Sequence, residues 1–141
     1  MKLLFLILTL LLYMNIYGQQ IEHRWKSIDN NEKQKNWYDI GVLDSGYVDV
    51  INVWVMQMNI PPLVVDYIET PVVKTKTLYT INLKTAKYGI LKAEYYDASN
   101  KNLQSFDYKI ENLKDDLKFN YPIMENSFLF KIIKDFIEKK K

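Results

Sequence analysis

Through most of the chain, apolar residues recur at every second position, which is the period of β-strands. Short polar segments rich in Asn, Asp, Ser and Gly separate these alternating stretches and favour turns. The predicted strands occupy residues 36–42, 47–58, 77–83, 87–97 and 103–110, with a short extended segment at 24–28 before them. Because consecutive strands joined by short turns pair antiparallel, the pattern predicts a β-meander.

The predicted strand at residues 47–58 is apolar on both faces. One face would carry Val48, Val50, Trp54 and Met56, and the other Tyr47, Ile51, Val53 and Val55. Since successive side chains of a strand point to opposite sides, we expect this strand at the sheet centre with both faces covered. Asp44, Ser45 and Gly46 before it predict a hairpin turn in which Gly46 takes a positive φ.

The segment at residues 59–74 contains three of the four prolines of the chain, Pro61, Pro62 and Pro71. Proline lacks the N–H that an interior strand donates to its neighbour. We therefore predict a long connection or edge segment. Together with Tyr67, Pro61 and Pro62 are candidate binding residues on this exposed segment.

The predicted strand at residues 87–97 follows a turn at 84–86 and is rich in tyrosine. Its alternation places Gly89, Leu91, Ala93 and Tyr95 on a buried face and Tyr88, Ile90, Lys92, Glu94 and Tyr96 on the other. A single helix cannot cover both faces of a sheet, so Tyr88, Ile90 and Tyr96 are candidates for an exposed binding surface. The alternative is that they pack across strands beneath the 59–74 connection.

The pattern changes to a helical period near the C-terminus. Asn126 or Ser127 can cap a helix there. Its apolar face would be formed by Leu129, Ile132, Ile133, Phe136 and Ile137. This face must dock on something apolar, and the sheet is the available partner. The predicted fold class is therefore α+β, an antiparallel β-meander packed by a C-terminal helix.

The N-terminus has the pattern of an export signal. Lys2 precedes an unbroken apolar run from Leu3 to Leu12, and a polar stretch with Gly18 follows. The run is too short to span a bilayer about 30 Å thick as a stable helix. We predict a signal peptide at residues 1–18 and a mature single domain at 19–141, with no integral membrane segment after processing. An uncleaved N-terminal anchor is the alternative.

Composition narrows the possible partners. Nineteen basic and 17 acidic residues leave a formal net charge of +2, too little to drive binding to a phosphate backbone, so nucleic acid is not an expected partner. The chain has no cysteine, which excludes disulfides, thiolate metal ligands and a thiol nucleophile. Stability must therefore come from packing.

Residues capable of catalysis or metal binding do not form a recognisable motif. His23, the only histidine, has no Ser or Cys partner at a motif spacing and is expected to be solvated. Asp97, Ser99 and Lys101 have the spacing of the first calcium ligands of an EF-hand, but the sixth and twelfth positions lack the required Gly and Glu. The carboxylate pairs Asp115 with Asp116, and Asp39 with Asp49, are expected to be solvated charges. We predict no catalytic residue, metal or cofactor.

Four segments of the chain are similar to the surface-adhesin protein E family of exported bacterial proteins. They are Trp25; Trp37-Tyr38-Asp39 with Val53-Trp54-Val55; Leu78-Tyr79-Thr80-Ile81-Asn82 with Lys87-Tyr88 and Tyr95-Tyr96; and Pro122 followed by a helix. The resemblance covers residues 25–137 and implies an exported β-rich fold and noncovalent protein binding. Related proteins often carry two cysteines. One comes just after the strand that corresponds to residues 78–82, and the other lies in the final helix. Here an apolar contact between Leu83 and the helix would replace that bridge.

These observations leave two functional hypotheses. The first is an exported, adhesin-like module of the bacterial envelope or surface that binds an unidentified protein through the tyrosine face and the 59–74 segment. The second is a periplasmic structural or stress-related protein that pairs with itself as a homodimer. A small hydrolase would require a positioned catalytic constellation, and the sequence does not provide one.

Overall fold

The computed structural model describes residues 22–30, 34–46 and 48–141, so the predicted signal peptide at residues 1–18 lies outside the described residues. The strands are β1 (Trp25–Asn30), β2 (Gln34–Asp39), β3 (Val50–Val65), β4 (Ile68–Asn82), β5 (Lys87–Tyr96), β6 (Asn102–Asp107) and β7 (Tyr121–Pro122). The helices are a 3-10 helix (Ile40–Asp44), α1 (Asp115–Lys118) and α2 (Phe128–Lys139).

All seven strands belong to one antiparallel sheet. Its order is β1-β2-β3-β4-β5-β6, which is the order of the chain, and β7 pairs with the start of β5. Each strand therefore pairs with its sequence neighbour, as expected when short connections join them. The prediction of an antiparallel sheet with a C-terminal helix is confirmed.

The helix α2 covers one side of the sheet, which we call the helix face. Ser127 Oγ caps α2 by accepting a hydrogen bond from the Phe130 N–H at 3.2 Å. The core under the helix is built from Tyr38, Val42, Ile51, Val53, Val55, Ile81, Leu129, Ile132, Ile133 and Phe136. Leu83 is partly buried and packs against this cluster.

A polar network also fixes α2 to the sheet. Asp135 on the helix accepts hydrogen bonds from the Tyr38 hydroxyl and from Lys26 Nζ, each at 2.7 Å. Burial, followed by the hydrogen bond to Asp135 and its charge, raises the pKa of Tyr38. Burial alone would raise the pKa of Asp135, but the hydrogen bonds from Lys26 and Tyr38 outweigh it and lower that pKa. The network joins β1, β2 and α2.

The 59–74 segment is not an irregular connection, but the alternative prediction of an edge segment is confirmed, because beyond Asn59 and Lys74 its two strands pair only with each other. It continues β3 and β4 as a two-stranded ribbon, which we call the arm (residues 60–73). Pairing of β2 with β3 ends at Asn59, and pairing of β4 with β5 begins at Lys74. Prolines are tolerated in the arm because its strands have no outer neighbours to receive their N–H groups.

The expectation that β3 is covered on both faces is also wrong. Ile51, Val53 and Val55 point to the helix face and are at most 3% exposed. On the other side Val50 is 39% exposed and Trp54 is only partly buried. The sequence makes both faces of the strand apolar, but one helix covers only one of them.

The connection between β2 and β3 is longer than a tight hairpin turn. These strands pair antiparallel as predicted, but the 3-10 helix lies between them. Asp39 caps that helix, its Oδ1 accepting a hydrogen bond from the Gly41 N–H at 2.8 Å. Gly46 does not adopt a positive φ, so the predicted turn geometry is wrong.

A β-bulge changes the faces of β5. Leu78 pairs with Lys92 and Tyr79 pairs with Ile90, which leaves Leu91 as an extra residue. Gly89, Leu91 and Ala93 are buried as predicted, but Tyr95 is only partly buried, and the bulge places Gly89 and Ala93 on opposite faces. The prediction that Tyr88, Ile90 and Tyr96 share one face is wrong, because strict alternation does not continue through a bulge.

The segment after β6 covers one end of the sheet on the side opposite α2. A Cβ atom at Gly89 would overlap the carbonyl oxygen of Lys118 and lie 2.9 Å from Ile110 Cδ1. Only glycine therefore allows this close approach. The predicted strand at 103–110 is shorter, ending at Asp107, and Tyr108 is 50% exposed instead of pointing inward.

Candidate functional site

The sheet surface opposite α2, beyond the part covered near Gly89, is the candidate site, and we call it the open face. It is formed by Trp25, Trp37, Trp54, Met56, Met58, Lys74, Lys76, Leu78 and Tyr96. Each of these side chains is partly exposed. No helix in the described part of the chain is long and apolar enough to cross a membrane.

Strand register explains why these residues share a surface. Trp37 is opposite Met56 and Met56 is opposite Lys76 in adjacent strands. One step along, Met58 is opposite Lys74, and Lys74 is opposite Tyr96. Side chains directly opposite in an antiparallel sheet lie about 5 Å apart on the same face. Four strands therefore contribute to a continuous patch.

Two lysines lie among the aromatic rings of this patch. Lys76 Nζ is 5.7 Å from the centre of the Trp25 ring and 5.3 Å from that of Tyr96. Lys74 Nζ is 4.5 Å from the Tyr96 ring centre. These distances are within the range of cation–π contacts, which orient an ammonium group on an aromatic face. We call Trp25, Tyr96, Lys74 and Lys76 the cation–aromatic row.

The positive charge of the row is not neutralised locally. Of the carboxylates that the structure describes, none lies within 4.0 Å of Nζ of Lys74 or Lys76. Glu94, opposite Lys76, instead accepts a hydrogen bond from the Tyr96 hydroxyl at 2.5 Å. Burial, and then the charge of Lys76, lower the pKa of Lys74. Lys74 and Lys76 therefore share the Tyr96 ring and form no ion pair with a described carboxylate.

His23 extends the aromatic surface and is not the solvated terminal residue that the sequence predicts. Its ring lies 5.1 Å from the Trp25 ring and 5.8 Å from the Trp54 ring. Its Nδ1 is 2.7 Å from Asp39 Oδ2, and the His23 side chain is 20% exposed. Pairing of β1 with β2 brings residue 23 beside Asp39, a contact between residues 16 positions apart that no local motif reveals.

The candidate binding residues from the sequence do not form one site. Tyr96 lies in the cation–aromatic row. Tyr88 packs against the helix-side core and stacks beside Tyr121, with ring centres 5.4 Å apart. Ile90 lines a cavity of about 230 Å³ at the sheet edge, next to Tyr108 and Tyr121.

The arm holds the other three candidates. Pro61 and Pro62 are exposed, and Tyr67 at its tip is 67% exposed. The Tyr67 ring centre is 6.4 Å from that of Phe106, which in turn lies 5.6 Å from Tyr95. Phe106 pairs with Ala93, whose partner Thr77 is opposite the core residue Val55. The arm tip therefore lies on the helix side of the sheet, away from the row.

Sequence reasoning missed Trp25, Trp54, Lys74 and Lys76 as site residues. Trp25 falls in the short extended segment before the predicted strands, and Trp54 lies on a strand predicted to be covered on both faces. The available signal was the alternation of Lys74, Lys76 and Leu78 along one face of β4, in register with the tryptophan positions of β3. This signal can be recognised only once the pairing of β3 with β4 is known.

The remaining polar clusters have structural explanations. Asp97 Oδ1 accepts hydrogen bonds from the Ser99 N–H at 2.8 Å and the Lys101 N–H at 2.9 Å, which forms the turn between β5 and β6. Asp115 and Asp116 are exposed in the first turn of α1. Over the described ranges, no three His, Cys, Asp or Glu side chains are grouped as metal ligands would be.

A second cavity, of about 300 Å³, lies at the end of α2. Leu83, Phe136 and Ile137 form its apolar lining, and Asp49, Lys84, Lys140 and Lys141 its polar rim. Lys84 Nζ is 2.7 Å from Asp49 Oδ2, and Lys140 donates hydrogen bonds to the carbonyl oxygens of Leu43 and Ser45. Lys84 and Lys140 of the rim are therefore already engaged.

No protein-family model, no curated protein and no solved structure matches this chain. The fold and the site are therefore described from this chain alone, and the resemblance to the surface-adhesin protein E family stays a hypothesis from its sequence pattern.

Proposed function

We propose that this chain is an exported binding protein that holds a partner protein noncovalently on the open face. The observation that carries the proposal is the cation–aromatic row, in which Lys74 and Lys76 lie on aromatic rings without a neutralising carboxylate. Aromatic side chains with polar neighbours on an exposed surface are typical of protein interfaces.

The construction of the open face supports this function. Trp25, Trp54 and Met56 are large apolar side chains that the fold leaves partly exposed, although β3 buries Ile51, Val53 and Val55 on its other face. Tryptophan is the residue type most often found at the centre of binding energy in interfaces. A rigid sheet also presents these side chains with little conformational entropy to lose on binding.

The charge of the face favours a foreign partner over self-association. In a symmetric dimer formed through the open face, the same patch meets itself. Where the two-fold axis passes close to the row, Lys74 and Lys76 of one copy approach the same lysines of the other copy, and Lys35 on the same face adds to this repulsion. Like charges placed together in an interface cost several kcal/mol.

The exported location follows from the sequence pattern at residues 1–18 and belongs to the proposal. Treating intact cells with a protease, with lysed cells and culture supernatant as controls, tests it. Digestion on intact cells or recovery in the supernatant indicates the cell exterior, and protection until lysis indicates the periplasm. Retention in the cytoplasmic fraction contradicts export.

Site-specific photocrosslinking in cells tests the binding surface. A photoreactive benzoylphenylalanine replaces Met58 on the open face in one variant and Phe130 in another. Phe130 is 40% exposed on α2 and serves as the matched control. We expect a discrete crosslinked partner from position 58 and not from position 130.

Three results would count against the proposal. No adduct from position 58, or the same adducts from both positions, means that the open face is not a binding surface. An adduct with the mass of two copies of this chain supports the homodimer instead, and sedimentation at micromolar concentration then checks it.

A further inference from the structure

We infer that the partner presents an acidic peptide segment, with a carboxylate between Lys74 and Lys76 and an adjacent apolar side chain against Trp25 and Trp54. This inference rests on the proposed function, because it names the chemistry of the partner at the same surface. It adds that recognition depends on charge, so an uncharged peptide of the same shape binds weakly.

The first step is the geometry of the two lysines. Lys74 and Lys76 are two positions apart on β4 and project to the same side, and both lie on the ring of Tyr96. The charge of Lys76 contributes to the lowered pKa of Lys74, as expected for neighbouring ammonium groups. A carboxylate placed between them could accept a hydrogen bond from each, and such charge-assisted bonds are stronger than neutral ones.

The second step is the unbalanced charge. Lys35, Lys74, Lys76 and Lys92 project on the open side of the sheet, which also carries the carboxylates of Asp39, Glu94 and Asp107. Asp39 is paired with His23, at 2.7 Å. Lys92 Nζ is 3.7 Å from Asp107, and Glu94 is held by Tyr96, which leaves Lys35, Lys74 and Lys76 without a carboxylate partner in the described part of the chain. Lys74 has only the neutral Asn100 Oδ1, at 2.5 Å. An anion would relieve the repulsion between these cations.

The third step concerns the aromatic half of the row. Trp25 contacts Lys76 on one side and His23 on the other, and His23 contacts Trp54. The cationic end and the apolar end therefore adjoin on a single surface. An acidic residue followed two positions later by an apolar one matches this arrangement when the peptide is extended, because alternate side chains point to the same side.

Binding of a synthetic peptide with Glu and Leu two positions apart, in the repeat Glu-Ser-Leu-Ser, tests the inference. Its matched control carries Gln in place of Glu. Titration of the mature protein is followed by nuclear magnetic resonance, which reports the side chains of the open face. We expect the Gln peptide to bind about tenfold more weakly, and the affinity of the Glu peptide to fall with added salt because exposed charges are screened.

Paired variants locate the charge effect. The double variant Lys74→Gln with Lys76→Gln should reduce the affinity for the Glu peptide by about tenfold and leave that for the Gln peptide unchanged. Lys109→Gln with Lys114→Gln removes the same charge from exposed loop positions and should have little effect. Thermal unfolding of each variant confirms that the fold is intact.

The outcomes separate this inference from the proposed function. If the Gln peptide binds the open face as well as the Glu peptide, the acidic partner is wrong while protein binding stands. If neither peptide shifts open-face resonances, the inference is overturned, and the crosslink from position 58 decides the proposed function by itself. If dextran sulfate binds as tightly as the Glu peptide and competes with it, the site takes any polyanion and the assignment to an acidic peptide fails.

Discussion

On β3, Ile51, Val53 and Val55 point to the helix face and are at most 3% exposed. Trp54 and Met56, which alternate with them along the strand, stay partly exposed on the open face. The residues alternate along one strand and are equally apolar. The difference is what lies over them: α2 covers one side, and the other carries lysines on aromatic rings. The comparison teaches that apolar content alone does not tell a core from a binding surface.

The two faces also differ in how their charges are used. On the helix face, Asp135 accepts hydrogen bonds from Lys26 and Tyr38, so its charge is compensated within the fold. On the open face, Lys74 and Lys76 have no such carboxylate. Compensated charge fixes the helix to the sheet, and uncompensated charge remains for a partner. Substitutions on the two faces should therefore have opposite effects on stability and binding.

The largest effect on stability is expected from Phe136→Ala. Phe136 is 1% exposed and packs in the core beneath α2. Removing a buried ring loses its transfer free energy and leaves a cavity, so the free energy of unfolding should fall by about 3–5 kcal/mol. Urea unfolding measures this. A loss below about 1 kcal/mol would mean that α2 does not form the core with the sheet.

A smaller loss of stability is expected from Gly89→Ala. This residue lies at the end of the sheet that the segment after β6 covers, on the side opposite α2. The added Cβ would overlap the Lys118 carbonyl oxygen, so the backbone of that segment must move. Overpacking of this kind costs about 1–3 kcal/mol. Thermal unfolding checks the loss, and Gly46→Ala, where a Cβ meets nothing within 4 Å, is the control. Equal effects at both positions would contradict the close approach.

The Asp135 network predicts a pH-dependent contribution. The pKa of Asp135 in the folded protein lies below its unfolded value of 3.8. Its stabilisation is therefore present above that value and is lost as the pH falls through the folded pKa. We expect Asp135→Asn to cost about 1–2 kcal/mol at neutral pH. This difference should shrink in acid.

Urea unfolding of wild type and Asp135→Asn across this pH range measures the effect. Asp116→Asn, which removes an exposed carboxylate of α1, is the charge-matched control. A difference between wild type and Asp135→Asn that stays constant well below the unfolded pKa would show that ionisation of Asp135 does not stabilise the fold.

The N-terminal cap of α2 should contribute about as much to the free energy of unfolding as the Asp135 network. Ser127→Ala removes the oxygen that accepts the Phe130 N–H and should cost about 1 kcal/mol. Ser127→Asp retains an acceptor and should restore most of the loss. The free energies of unfolding of the three proteins decide this. An alanine variant as stable as wild type would exclude a stabilising cap.

The smallest effect on stability is expected on the open face. Lys74→Gln with Lys76→Gln should change the free energy of unfolding by less than about 0.5 kcal/mol, because the lysines are partly exposed and repel each other. Urea unfolding measures it. A loss as large as that from the core substitution would assign the row to folding instead of binding.

Much of the fold follows from local rules. The two-residue period and the turn residues predict β3 to β6, and the spacing of Leu129, Ile132 and Phe136 after Ser127 predicts α2. These strands and this helix depend mainly on residues close to one another in the sequence. They can be predicted because each strand of the sheet pairs with its neighbour along the chain.

The site could not be predicted in the same way. The bulge at Leu91 depends on how β4 and β5 pair, and it separates Tyr88 from Tyr96. The arm forms because the pairing of β2 with β3 and of β5 with β4 stops before the prolines. Where that pairing stops depends on the neighbouring strands and not on the sequence of the arm itself. The contact between His23 and Asp39 joins two segments across a strand pair. Each feature arises from register, which the sequence pattern constrains only weakly where both faces are apolar.

The central claim is that the open face is occupied by a partner in the cell. Amine-reactive labelling of the protein in cells and after purification tests it directly, with mass spectrometry reading each lysine. Labelling of Lys74 and Lys76 should be lower in cells than in the purified protein, while Lys109 and Lys114, exposed elsewhere, should label equally in both. Equal labelling of all four lysines in the two states would contradict the account.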